Sequence, residues 1–189
     1  MNVPLDLRMD EPEFLAWVQA HEGRYELIRG RVMMMTGGSR GHAILLRRLA
    51  AALEKRLDGK RWTVLTSDFG VALGPATVRY PDLVVDVAGG ASKDLTATAS
   101  TLIAEVLSPS SVKDDLGAKA TEYLRLPSLS AYLVLAQDEP RAWIWVRGAH
   151  GFPPNPTIIA GRDARIEISA HRLDPPLAEI YGSLPGDSL

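Results

Sequence analysis

The chain has 189 residues, 46% of them hydrophobic, with a formal charge of −2 and a pI near 6.1, the size and composition of one globular domain with a real core. It holds no cysteine, which excludes disulfides, thiolate catalysis and cysteine-held zinc, so any metal must sit on oxygen or histidine. No stretch approaches the roughly 18 apolar residues of a membrane span, residues 1–10 lack the basic and apolar regions of a signal peptide, and the near-neutral charge gives no general attraction to polyanions; a cytoplasmic protein without membrane attachment or organic cofactor is expected.

Asp10 followed three places later by Glu13 has the form of a capping box, and Pro12 falls in the first turn. Together they predict a helix over residues 11–21, with Phe14, Trp17 and Val18 as its buried stripe. Residues 25–28 and 32–35 flank Arg29-Gly30 and read as a β-hairpin. Met33, Met34 and Met35 read as core filling, not a cofactor site. Gly37-Gly38-Ser39 then precedes a long helix over residues 42–57, in which Leu45, Leu49, Leu53 and Leu57 recur four apart on a core-facing side. From Arg40 to Arg61 seven Lys or Arg oppose only Glu54 and Asp58, an excess of five positive charges. Arg40, Arg47 and Arg48 are its candidates for phosphate contact, the alternative being a solvated helix face.

Residues 62–71 read as strand up to Gly74-Pro75, residues 82–87 as a further strand, and residues 89–99 as a mobile surface connection. Residues 102–107 are apolar almost throughout, the mark of a central strand covered on both faces, and Ser108-Pro109-Ser110-Ser111 ends it. A helix over residues 112–124 is stopped by Pro127. Strands follow at 131–136 and 141–146, where Trp143 and Trp145 share a face and pack in preference to stacking on bases. A proline-rich turn over residues 152–156 leads to residues 157–160, then to a strand over 165–169 and a short closing helix near residues 176–181. The order predicts one α/β domain over residues 1–189, in which helices flank a curved mixed β-sheet behind an N-terminal helix and hairpin. Its core spans about residues 14–146, with a strand and helix extension over 147–189.

Two acids stand inside apolar strand-type runs: Asp82 in Tyr80-Pro81-Asp82-Leu83-Val84-Val85, and Glu105 in Leu102-Ile103-Ala104-Glu105-Val106-Leu107. An ionised group there costs several kcal/mol unless it is compensated, so the pair has the character of ligands to a hard metal ion. Asp82 can instead cap a turn, and Glu105 can pair with Arg79 or Arg125. Asp115, Lys119 and Tyr123 recur at intervals of four on one helix face. Lys119 either lends its charge to the two acids or pairs with Asp115 in solvent, and Asp115 either holds Lys119 or favours the helix start. Glu26 is a third acid near the metal or a cross-strand partner of Arg31 or Arg29; His42 contacts phosphate or water, or is only a satisfied hydrogen-bonding group at its helix start. Asp86 reads as a surface or sheet-end acid. Acid, acid and lysine together suggest metal-assisted phosphodiester hydrolysis.

Pro81-Asp82, followed 23 positions later by Glu105-Val106-Leu107, resembles the PD-(D/E)XK nuclease motif, with Leu107 in the lysine's place. The run Glu-Val-Leu-Ser-Pro-Ser-Ser from Glu105, then Asp115, Lys119 and Tyr123, is similar to a restriction-endonuclease-like bacterial family abundant in cyanobacteria, in which the lysine is displaced onto the next helix. Tyr25-Glu26-Leu27-Ile28-Arg29-Gly30-Arg31-Val32, His42 and Ala131-Tyr132-Leu133-Val134 extend the resemblance over about residues 14–146. It implies a restriction-endonuclease-like core acting on DNA, a homodimer, and Mg²⁺, with Mn²⁺ as a substitute, on Asp82 and Glu105. Lys119, Glu26 and His42 assist in that scheme, and Asp115 and Tyr123 stand behind them. A nuclease fold kept only for binding DNA or protein, and a purely structural dimerisation domain, are the competing classes.

Overall fold

The computed structural model describes residues 3–108 and 112–182; the expected strand stop at Pro109, Ser110 and Ser111 lies outside them. A strand that the sequence did not announce, β1 (Val3–Arg8), comes first. The capping box forms as read: the Glu13 amide donates to Asp10 and the Asp10 amide to Glu13, at 3.0 and 3.1 Å, opening α1 (Glu11–Val18). Phe14 is fully buried, and Trp17 and Val18 pack at the margin of the same apolar cluster. The hairpin β2 (Tyr25–Ile28) and β3 (Arg31–Met34) turns through Arg29 and Gly30 at φ +50° and +78°, the left-handed pair a two-residue hairpin of this twist requires. The methionine triplet does not fill the core. Val32 takes that place, Met33 is half-buried, Met34 is exposed, and Met35 borders a cavity.

Ser39 caps α2 (Arg40–Glu54), its hydroxyl accepting from the His42 amide. Leu45, Leu49 and Leu53 are fully buried as the spacing required, each contributing roughly 1.5–3 kcal/mol by leaving water. There follow β4 (Trp62–Thr66), β5 (Val71–Ala72), β6 (Val78–Arg79), β7 (Leu83–Val87) and β8 (Leu102–Val106). The segment predicted as a helix over 112–124 divides into a π-helical turn, Asp114–Lys119, and α3 (Ala120–Tyr123). The chain ends through β9 (Ala131–Leu135), β10 (Arg141–Val146), β11 (Thr157–Ala160) and α4 (Leu177–Tyr181).

The strands form two sheets, not one. Five antiparallel strands run in the order β1-β3-β2-β6-β5, and six run β11-β10-β9-β8-β7-β4, mixed because β8 and β9 alone are parallel. The parallel step needs a crossover, and the π turn with α3 supplies it. One face of the six-stranded sheet is covered by α2 and α4, the other by α3 with Trp143 and Trp145. Every residue of β8 is buried, as expected of a central strand.

Residues 165–169 make no strand. Arg165 and Ile168 form only isolated bridges to Pro176 and Leu173, since Pro175 and Pro176 have no N–H with which to continue a ladder. Asp86 is not a surface acid: it is buried and accepts from the Thr98 and Ala99 amides at 2.9 and 2.7 Å, which pins the end of the 89–99 connection to the sheet. Among the described residues no helix is long and apolar enough to cross a membrane.

Candidate active site

The register of β7 and β8 decides where the two acids meet. Leu83 lies opposite Ala104 and Val84 opposite Ile103, so one step further Asp82 comes beside Glu105. Alternation then sends both side chains to the face that carries Val84 and Ile103, beneath α3. Asp82, Glu105, His42, Asp115 and Lys119 line one cavity of about 100 Å³. Leu107 is buried in the apolar cluster on that face, so the lysine position of the resembled motif is core, and the ammonium arrives from the helix instead.

Around Glu105 the site is dry. Its Oε1 accepts from Lys119 Nζ at 2.9 Å and from the Tyr123 hydroxyl at 3.2 Å, and Glu105 is only 2% and Lys119 only 8% exposed. Lys119 Nζ also lies 3.0 Å from Asp115 Oδ1, although no hydrogen bond is aligned on that buried oxygen. The expected intervals of four hold, since Asp115, Lys119 and Tyr123 all turn inward. Glu105 thus finds Lys119 where the sequence offered Arg79 or Arg125 as an ion-pair partner. From β9 the Tyr132 hydroxyl donates to the Asp115 carbonyl at 2.8 Å and fixes the π turn against the sheet.

Burial pushes the Glu105 carboxyl well above the usual carboxylate range; the Lys119 charge opposes this, and the neighbouring charges of Asp82 and Asp115 reinforce it. Asp82 goes the other way. Burial would raise it, but the His42 hydrogen bond, the Val106 amide and the Lys119 charge hold it low. The Asp82 Oδ2 carries both bonds, 2.9 Å from His42 Nε2 and 2.8 Å from the Val106 nitrogen; an ionised carboxylate only accepts, so His42 is the donor. Lys119 loses hydration through burial, yet Glu105, Glu26 and Asp115 outweigh that and keep it an ammonium.

Three carboxyl groups, those of Asp82, Glu105 and Asp115, share this cavity with Lys119, Arg24 and His42, and such a set of oxygens fits a hard cation. Asp82 Oδ1 and Glu105 Oε2 accept no hydrogen bond from the described residues, whereas Asp115 Oδ1 already faces the Lys119 ammonium at 3.0 Å. Among the described residues no three acids or histidines converge as a ready-made cage. That suits Mg²⁺, which is commonly held by one or two carboxylates and keeps its other positions for water and phosphate oxygens.

Glu26 does not reach the cavity, and neither Arg31 nor Arg29 is its partner. Fully buried, it accepts from Arg79 at 3.1 Å and from the Tyr80 amide at 3.1 Å. Arg79 in turn donates to Glu122 at 2.8 Å and lies 3.5 Å from Asp114. Glu26 therefore grips the chain two residues before Asp82, while Arg79 grips the segments on either side of Lys119. Burial opposes the Arg79 charge, and Glu26 and Glu122 more than restore it. The basic strip also divides. Arg40 and Arg47 are exposed, but Arg48 donates to the Tyr181 carbonyl and Arg56 grips Glu179, so these two tie α2 to α4 and do not face a phosphate. Missed by sequence reasoning were Arg24 and Gly38, which both line the cavity. Neither lies in an apolar run or at a motif spacing, and Gly38 is required by contact alone: a Cβ there would stand 2.9 Å from His42 Nδ1.

A mixed sheet with two acids at the ends of adjoining central strands, covered by a lysine-bearing crossover helix, is a nuclease fold. The crystal structure of a putative nuclease belonging to DUF820 from Anabaena variabilis matches it with a TM-score of 0.72 over 92% of this chain and 97% of that one, at 12% identity, a likeness of fold. The chain belongs to the Uma2 family, described as Putative restriction endonuclease, whose model matches residues 11–167. It is 28% identical to the uncharacterized protein slr1290 of Synechocystis sp. over 68% of this chain and 69% of that one. It is 27% identical to a second protein of that organism, sll1609, over 66% and 73%.

Proposed function

We propose that the chain is a metal-dependent endonuclease that hydrolyses phosphodiester bonds in DNA. The observation that carries this reading is the convergence of Asp82, Glu105 and Lys119 on one cavity wall, with one oxygen of each acid left without a donor among the described residues. Asp82 and Glu105 would hold Mg²⁺ or Mn²⁺. When bound, the ion supplies Lewis acidity at the scissile phosphate. Lys119 keeps Glu105 and Asp115 together and offers fixed positive charge where negative charge develops on the phosphate, a preorganised arrangement that needs no rearrangement during reaction. His42 holds Asp82 ionised and oriented through Nε2, and the Tyr123 hydroxyl orients Glu105. The strut of Glu26 and Arg79 positions these groups without touching substrate.

Fluorogenic duplex and single-stranded DNA, incubated with Mg²⁺ or Mn²⁺, test the proposal against Asp82→Ala and Glu105→Ala. Cleavage by the wild type that both variants lose is the expected result. Equal cleavage by all three proteins, or none together with no metal binding at millimolar concentration, overturns it. A second reading, a nuclease fold retained for binding DNA or protein, draws on Leu107 in the lysine position and on the tight closure of Lys119 over Glu105; it predicts DNA binding indifferent to divalent ions and unaltered by Lys119→Ala. Assembly as a homodimer and residence in the cytoplasm accompany the endonuclease proposal as expectations, the former measurable by sedimentation.

A further inference from the structure

Beside the acid cavity lies a second of about 280 Å³, and the two share Arg24 and Met35 as a common wall. The second cavity has an apolar and aromatic wall of Val18, Tyr25, Tyr80, Met35 and Leu95, and Gln19, Ser67 and Asp68 also line it. It falls just below the roughly 300–1,000 Å³ of sites for drug-sized ligands, which matches one flat ring system. Tyr80 is two residues from Asp82, so this wall and the first of the acids are carried by one short stretch of chain.

Arg24 stands between the two. Its Nη2 donates to the Ser67 carbonyl at 2.9 Å, and its Nε lies 3.5 Å from the exposed Asp68. Ser67 is in the left-handed region at φ +54° and its amide donates to the Asp82 carbonyl at 2.9 Å, so the turn that seats Arg24 is fastened to Asp82 itself. Nη1 has no partner among the described residues. Of the lysine and arginine side chains lining the acid cavity among the described residues, Lys119 is already committed to two carboxylates. Arg24 is the one with a face to offer, and a guanidinium presents donors in the fork that phosphate oxygens accept.

We infer that Arg24 and the adjoining cavity form a nucleotide subsite: the guanidinium takes the phosphate next to the scissile one, and the cavity bounded by Tyr25, Tyr80, Met35 and Leu95 takes that nucleotide's base, unstacked from its strand. This rests on the nuclease reading and deepens it, because a base enters such a cavity only from a single strand or by leaving a duplex. The substrate class is thus single-stranded or locally unpaired DNA.

The test uses a single-stranded oligonucleotide containing 2-aminopurine, whose emission rises when the base unstacks, bound in EDTA so that no cleavage intervenes, with an abasic oligonucleotide for comparison. The full chain is expected to bind the first with a rise in emission and to bind the abasic strand at least tenfold more weakly. Arg24→Ala should lower the slope of log affinity against log salt by about 0.7, the value for one phosphate contact on a single strand. Leu95→Trp should abolish the emission change, and Lys93→Ala should bind as wild type. The abasic comparison needs no variant to fold. Wild-type protein that cleaves DNA yet binds both oligonucleotides equally, with the Arg24→Ala slope unchanged, overturns the subsite and leaves the nuclease standing. Wild-type protein that neither binds nor cleaves overturns both.

Discussion

Replacing Arg79 by methionine tests whether the buried strut holds the two halves of the site. Arg79 is 1% exposed and pairs with Glu26 at 0%, so Arg79→Met takes away the guanidinium that lies 3.1 Å from a dry, buried carboxyl group, a change that costs about 3–5 kcal/mol. Replacing both partners, Glu26→Met with Arg79→Met, removes that carboxyl group as well and recovers most of the loss. A residue of about 1–3 kcal/mol remains because the Tyr80 amide loses the Glu26 oxygen it donates to. Glu26→Gln with Arg79→Met keeps that acceptor and should recover further. Equilibrium unfolding in urea, followed by circular dichroism for the wild type, the single variants and both double variants, gives the coupling directly. The reasoning is refuted if Arg79→Met costs less than about 1 kcal/mol, or if either double variant is less stable than Arg79→Met alone. The Gln and Met double variant, folded at 25 °C, should still lose cleavage, because the Arg79 link between the approach to Asp82 and the segments on either side of Lys119 is then gone.

Lys119→Met should lower cleavage at least a hundredfold, as loss of a preorganised charge does, and should also shift Glu105 further toward its protonated form, visible as a higher carboxyl pKa by NMR. Gly38→Ala should displace the His42 ring, since the added Cβ would lie 2.9 Å from Nδ1; cleavage falls while the urea midpoint barely moves, and an unchanged rate would dismiss the contact. His171 sets a pH dependence far from the site. Its ring lies tilted at 55° against Trp62, its Nε2 is 2.9 Å from the Thr101 hydroxyl, and its Nδ1 is buried without a partner among the described residues, so burial holds its pKa below the ordinary 6.5. The unfolded chain then binds the proton more readily, and the stability His171 contributes is complete above pH 6.5 and lost as pH falls toward its lowered value. Melting temperatures taken between pH 7 and pH 5 should decline less steeply in His171→Gln; parallel declines would exclude His171 as the cause.

Much of the site was legible in the order of residues because its parts obey local rules. A carboxylate inside an apolar strand has to be compensated, so Asp82 and Glu105 stood out without a structure, and the four-residue spacing of Asp115, Lys119 and Tyr123 placed them together on whatever helical turn they formed. The capping box at Asp10 and the Arg29-Gly30 turn were readable for the same reason: each is complete within a few consecutive residues. Contacts between distant segments were not. Whether Glu105 met Lys119 or an arginine, whether Glu26 faced the cavity or Arg79, and whether Arg48 met solvent or the Tyr181 carbonyl depended on strand register and helix docking, which the chain settles only when it folds. β1 escaped notice because its partner β3 lies more than twenty residues away. Composition and periodicity thus determined which groups must find partners, and the tertiary structure alone decided which ones they found, because hydrogen bonds and ion pairs act over a few ångströms in space however far apart their residues stand along the backbone.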